Sequence, residues 1–247
     1  MTTVTIAGPT TSDGYLSEPI RRADAPEGLK YPGVVMVQDV FGLSDDLRDQ
    51  ADWMAAAGYL TLAPDLYQGK AAVRCIQGTF RQLVAQRGPM FDLLDEARHQ
   101  LQQRPDCTGE VGVIGYCSGG AFALLLAGRP GWTAAAVNYG ELPKNLDEVL
   151  SDPCPVVASF GGRDRSLPGA AAALAGALAK TGVVHDVKEY PDARHAFINR
   201  LTGASPLSPL LKVAGIGHNH PAAADAKRRI LSFFDAQLRS SPASSRP

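Results

Sequence analysis

Short, continuously apolar runs alternate along this chain with longer stretches in which apolar positions recur every three or four residues. The first kind predicts buried, parallel strands and the second predicts helices that cover them. Residues 33–38, 59–63, 111–114, 134–138 and 155–160 are strand segments of this type. Residues 185–190 alternate in the manner of an edge strand, and 4–6 with 14–22 predict an N-terminal strand pair. Helical periodicity covers 45–57, with Ser44 as N-cap and Gly58 as stop, then 170–180, ended by Gly182, and 222–238. Between 65 and 78 the pattern loosens. It becomes helical again from Phe80 to Arg104 with a break at Gly88-Pro89, which reads as a small cap or one interrupted helix.

This alternation predicts an α/β fold, with a mostly parallel central sheet and helices on both faces, in a single domain over residues 1–239. The polar residues 240–247 are expected to be disordered. In such sheets ligands gather at the carboxyl ends of the strands.

The run from Val111 ends in Gly115-Tyr116-Cys117-Ser118-Gly119-Gly120 and continues into the apolar residues 121–127. Strand, tight turn and helix around G-x-nucleophile-x-G form the nucleophile elbow of the α/β-hydrolase fold, written here with cysteine. The turn throws its central side chain above the sheet and leaves no room for a Cβ two residues to either side, which suits Gly115 and Gly119. Cys117 opens a helix, whose N–H groups and macrodipole favour a thiolate. Taking Ser118 as nucleophile would put Tyr116 at the first glycine position. A dinucleotide fingerprint fails because Ile114 and Cys117 occupy the required second-glycine positions, and no Walker G-K-[ST] follows. The plainer alternative is a connecting turn with a small buried cysteine.

An elbow needs an acid and then a histidine further along the chain. Of the five histidines, His99 lies in a helical pattern before the elbow and His185 begins a strand, whereas His195 follows the last strand. Asp164 follows the strand at 155–160, with Asp186 and Asp192 as fallbacks. His218 and His220 have the spacing of a ligand pair, but no carboxylate or cysteine completes a cage nearby in sequence, so no metal is expected.

Twenty-four Lys and Arg oppose 25 Asp and Glu, which argues against a nucleic-acid partner. The N-terminus lacks a basic and apolar secretory leader and no apolar run reaches membrane-spanning length, so a cytoplasmic protein without a membrane partner is expected. The four cysteines, Cys75, Cys107, Cys117 and Cys154, make no C-x-x-C pair and read as reduced thiols.

With the elbow, the blocks Gln38-Asp39-Val40-Phe41-Gly42-Leu43, Ala63-Pro64-Asp65-Leu66-Tyr67, Gly161-Gly162-Arg163-Asp164 and His195-Ala196-Phe197 resemble the dienelactone hydrolase family, a Cys-His-Asp branch of the α/β-hydrolases. These blocks stand in the family's order and span most of the chain. The resemblance implies hydrolysis of a small ester or lactone through a thioester on Cys117, with His195 and Asp164 completing the triad and the backbone N–H groups of Val40 and Ser118 forming the oxyanion hole. It implies thiol activation by Asp39, where the member usually described has glutamate. Arginines would hold a substrate carboxylate, at Arg200, beside Asn199, and at Arg74 or Arg81, of which Arg81 is carried forward. Tyr139 matches a family active-site tyrosine. No cofactor is implied, and a monomer is expected. The long segment 199–221 is expected to form a lid through Leu207, Leu210, Leu211 and Val213. A redox-responsive or ligand-binding protein with Cys117 as sensor thiol, and a non-catalytic α/β domain, are the alternatives.

Overall fold

The computed structural model describes residues 2–8, 11–21, 24, 26–200 and 217–239. Most of the expected lid, including Leu207, Leu210, Leu211 and Val213, and the tail 240–247 lie outside the described residues.

Eight strands form one sheet: β1 (Thr2–Ile6), β2 (Ser12–Ser17), β3 (Tyr31–Val37), β4 (Leu60–Pro64), β5 (Cys107–Tyr116), β6 (Ala134–Asn138), β7 (Val156–Gly161) and β8 (His185–Tyr190). Their spatial order is β1-β2-β4-β3-β5-β6-β7-β8. The first two pairings are antiparallel and the remainder parallel. β3, β5, β6 and β7 are therefore buried on both faces, which is why their sequences are continuously apolar. β8 is an edge strand, and of its six residues only Tyr190 is buried, so the expected alternation is not seen in its burial.

The helices are α1 (Asp45–Ala56), α2 (Ala72–Ala85), α3 (Pro89–Gln102), α4 (Ser118–Ala127), the single turn α5 (Leu146–Val149), α6 (Ala170–Thr181) and α7 (His220–Phe234), which continues into a π-helical turn at Asp235–Arg239. Ser44 caps α1, its Oγ accepting the Leu47 N–H at 3.3 Å, and Leu47, Ala51, Met54 and Ala55 turn one face to the core. All ten residues of α4 are buried, so it is apolar all round.

Several elements depart from the sequence expectation: β2 ends at Ser17, β5 begins at Cys107, and the helices between β4 and β5 and after β6 differ as follows. The 80–104 periodicity belongs to two helices separated at Gly88, whose φ is 134°, with Pro89 at the head of α3. The first begins at Ala72, where Ala72 and Cys75 pack partly on the core but exposed Val73 and the helix-interior Gly78 blur the pattern. α5 is a single turn whose Leu146 and Val149 pack half-buried on the core, too short to show a periodicity. Core residues divide between the two sheet faces. Phe91, Leu94, Phe122, Leu125 and Leu174 lie on the α3/α4/α6 side, whereas Leu47, Met54, Phe197, Ile230 and Phe234 lie on the α1/α7 side. No helix among the described residues is long and apolar enough to cross a membrane.

Candidate active site

The carboxyl ends of the parallel strands β3, β5, β6, β7 and β8 share one edge of the sheet, and the turns leaving them carry the candidate residues. Cys117 stands alone between β5 and α4 at φ 55°, ψ −119°, a region that costs a side-chain-bearing residue about 1–3 kcal/mol. The glycines around it are fixed by contact. A Cβ on Gly115 would sit 1.8 Å from the Gly119 carbonyl oxygen, and one on Gly119 would sit 2.3 Å from that of Val37. The elbow thus presses on the end of β3. The Cys117 N–H donates to the Asn138 carbonyl at 3.1 Å and pins the turn to β6.

Ser118 adjoins Gly119 in sequence, and Val40 follows two residues after Gln38, whose carbonyl also faces Gly119. Ser118 is the first residue of α4, so its N–H precedes the helical ladder. Val40 lies in a turn in which the Gly42 N–H donates to the Asp39 carbonyl at 3.2 Å and the Phe41 N–H to Asp39 Oδ1 at 2.8 Å. The Tyr67 hydroxyl donates to the Val40 carbonyl at 3.3 Å. Among the described residues, neither the Val40 nor the Ser118 N–H has an acceptor.

His195 follows β8, and its Nδ1 is 2.6 Å from Asp164 Oδ2. Asp164, in the turn after β7, accepts from the Ser166 N–H at 2.9 Å and hydroxyl at 2.5 Å through its other oxygen. Burial pushes the Asp164 carboxyl up, but hydrogen bonds from His195 and Ser166 outweigh it and hold it below the usual carboxylate range. At His195, burial favours the neutral ring, yet hydrogen bonds to Asp164 and Cys117, with the charges of both, push it up to about 10. With Nδ1 on Asp164, Nε2 is the nitrogen left for the thiol.

Beneath the imidazole lies Tyr139, wholly buried, its ring edge-on to His195 with centroids 5.3 Å apart. Its hydroxyl donates to Asn199 Oδ1. Asn199 Nδ2 donates to Asp46 Oδ2 at 2.7 Å and reaches Asp39 Oδ2 at 3.5 Å, while Asp46 Oδ1 accepts the Arg200 N–H at 2.7 Å. Burial pushes Asp39 up to about 6; the Phe41 N–H pulls against this, the Asp46 charge adds to it, and the His195 charge opposes it. Asp39 and Asp46 thus flank an asparagine that joins three segments.

The sequence reading did not assign Asp46 or Asn199 to the site. The only local signal was the acidic first turn of α1 behind its cap. Asp39 has no hydrogen bond to Cys117 among the described residues; its carboxylate meets Phe41 and Asn199. Tyr139 supports the histidine from below, because its burial keeps it off the open face. Arg74 and Arg81 are exposed on α2, while Arg200 is exposed near Lys227 of α7, whose ammonium its charge helps hold down after burial. The fallback acids are engaged elsewhere, Asp186 with Arg229 at 2.7 Å and Asp192 with Arg163 at 2.5 Å. His218 and His220 stack edge-on, 6.1 Å apart, and no group of three or more metal-ligating side chains occurs among the described residues.

A family model described as the dienelactone hydrolase family matches residues 20–238. A carboxymethylenebutenolidase of Pseudomonas putida is 27% identical over 221 residues, covering 85% of this chain and 88% of the relative. A Yersinia pestis protein assigned the same activity is 32% identical over 184 residues, 68% of each chain. Among solved structures, a Klebsiella pneumoniae protein assigned as a dienelactone hydrolase superposes with a TM-score of 0.75 at 25% identity, over 94% of this chain and 97% of that one.

Proposed function

Because the chain belongs to the dienelactone hydrolase family and is a hydrolase of ester or lactone bonds, we propose that it works through a thioester on Cys117, with His195 and Asp164 as its partners. The observation that supports this reading is the strained turn holding Cys117 at the head of α4, beside an imidazole whose Nδ1 is 2.6 Å from a buried carboxylate.

The His195 imidazolium persists up to about pH 10, and the nucleophilic form of a cysteine is its thiolate. The sulfur attacks the carbonyl carbon, and the π electrons move onto oxygen, where the N–H groups of Val40 and Ser118 receive them. One such donor contributes about 3–4 kcal/mol to the transition state. Collapse expels the alkoxide, to which His195 gives its proton, leaving the acyl group on sulfur. His195 then takes a proton from water as the hydroxyl attacks the thioester, and the thiolate departs. Asp164 orients the ring throughout. Asp39 acts by shaping the turn that aims the Val40 amide, and Tyr139 by supporting the imidazole. A thiolate is expelled more readily than an amide nitrogen, so activated esters and lactones suit this site better than peptides.

The test is turnover of p-nitrophenyl acetate and an aryl lactone by the wild type and Cys117→Ala, with rapid-quench intact mass measurement. The expected result is an acetyl adduct on the wild type and loss of turnover in the variant. A wild type that oxidises reversibly at Cys117 yet hydrolyses nothing would make the residue a sensor thiol and refute the proposal.

A further inference from the structure

Between α2 and α4, next to the elbow, runs a cleft of about 280 Å³ that the steps above leave unused. Phe80, Leu83 and Val84 of α2 form one wall, Ala121 and Leu125 of α4 the floor, and Leu142 the far side. Phe80 and Val84 are 41% and 84% exposed, so apolar surface faces water there. We infer that this cleft is the acyl-chain subsite of the enzyme and that it takes an uncharged, linear aliphatic acyl group, an inference that rests on the hydrolase reading above.

Three observations carry it. The first is continuity with the nucleophile. Ala121 and Leu125 lie four residues apart on one stripe of α4, and the Ala121 N–H donates to the Cys117 carbonyl at 3.1 Å, so the floor begins one turn after the elbow. At 1.5 Å per residue the floor therefore extends about 12 Å from the thiol-bearing residue. It has an end: Gln86 Nε2 donates to Asn145 Oδ1 at 2.6 Å, tying α2 to the loop after β6 beside Leu125.

The second is which side of the thiol the cleft occupies. The leaving alkoxide must meet the imidazole to be protonated, and the histidine loop packs through Ala193, Ala196 and Phe197 into the α1/α7 core. The cleft residues Leu83, Leu125 and Leu142 belong to the opposite core. The alcohol leaves toward one face of the sheet and the acyl chain lies toward the other.

The third is charge. Glu141 and Lys144, both exposed, are the charged residues lining the cleft, and they cancel. Arg81 does not line it, being turned about 100° from Phe80 around α2. The cleft thus offers desolvation to methylenes and no net cation to a carboxylate.

Acyl length is varied with the leaving group held constant, using p-nitrophenyl acetate, butyrate and hexanoate. Burying one methylene is worth about a fourfold change in kcat/KM where fully realised. The expected wild-type ratio of hexanoate to acetate in kcat/KM is at least about tenfold. Val84→Asp, on an exposed position that does not threaten folding, and Ala121→Leu, which fills the floor, are expected to reduce that ratio about tenfold. Val184→Asp, exposed at the opposite edge of the sheet, is expected to leave the ratio unchanged. A flat or falling chain-length profile, or a ratio indifferent to Val84 and Ala121, would overturn the inference while leaving ester hydrolysis in place. Calorimetric binding of hexanamide separates the two readings. If no ester is turned over but hexanamide binds the wild type and not Val84→Asp, the catalytic proposal falls and the subsite stands.

Discussion

Replacing Asp39 with asparagine tests the electrostatics of the buried cluster beside the oxyanion turn. The Asp39 carboxyl titrates at about 6 in the folded chain against an ordinary value of 3.8. Between those values the folded state binds more protons than the unfolded one, so this residue makes stability fall as pH rises through about 6. Each tenfold change in proton affinity is worth about 1.4 kcal/mol, so the full effect is about 3 kcal/mol, of which about 2 kcal/mol falls between pH 4.5 and 7.5. Asp39→Asn removes that component. The new amide also faces Asn199 Nδ2, donor to donor, but this cost does not vary with pH and cancels when the two pH values are compared. Urea unfolding followed by tryptophan fluorescence supplies the free energies. Relative to the wild type, the variant should gain about 2 kcal/mol between pH 4.5 and 7.5. Parallel stability curves across that window would mean that Asp39 titrates alike in both states, and the reasoning would be wrong.

Asp164→Asn removes the charge that helps raise His195 and leaves Nδ1 a weaker, neutral amide acceptor, so the alkaline limb of the pH–rate profile should move from about 10 toward neutrality; an unmoved limb would show that the Asp164 charge does not set the imidazole. Tyr139→Phe keeps the ring against His195 but leaves Asn199 Oδ1 without its donor, and a buried acceptor so stranded costs about 1–3 kcal/mol in urea unfolding with the alkaline limb unchanged. Gly119→Ala forces a Cβ to within 2.3 Å of the Val37 carbonyl oxygen and 2.5 Å of that of Gln38, so soluble folded protein should be lost; a variant melting like the wild type would contradict the packing of the elbow on β3.

What the sequence determined by itself is what local rules and chain order control. Buried parallel strands must be apolar throughout, and 134–138 and 185–190 coincide with β6 and β8 to the residue. A tight strand-to-helix turn excludes side chains at two fixed positions, so Gly115 and Gly119 mark Cys117 without any knowledge of what surrounds it. Because connections in such sheets run to a common edge, the residues following β7 and β8 lie near the carboxyl end of β5, which makes Asp164 and His195 candidates from chain order alone.

The tertiary structure alone decided whatever depends on segments meeting that share no local pattern. Asn199 joins Asp39 and Asp46 across 160 and 153 residues, and no periodicity or motif records such a contact. The beginning of α2 at Ala72 has no clear mark in the sequence because exposed Val73 and the internal Gly78 interrupt its apolar stripe there. The cleft along Ala121 and Leu125 was hidden for the opposite reason. α4 is apolar on every side, so its sequence cannot distinguish the face that meets the core from the face left open toward α2.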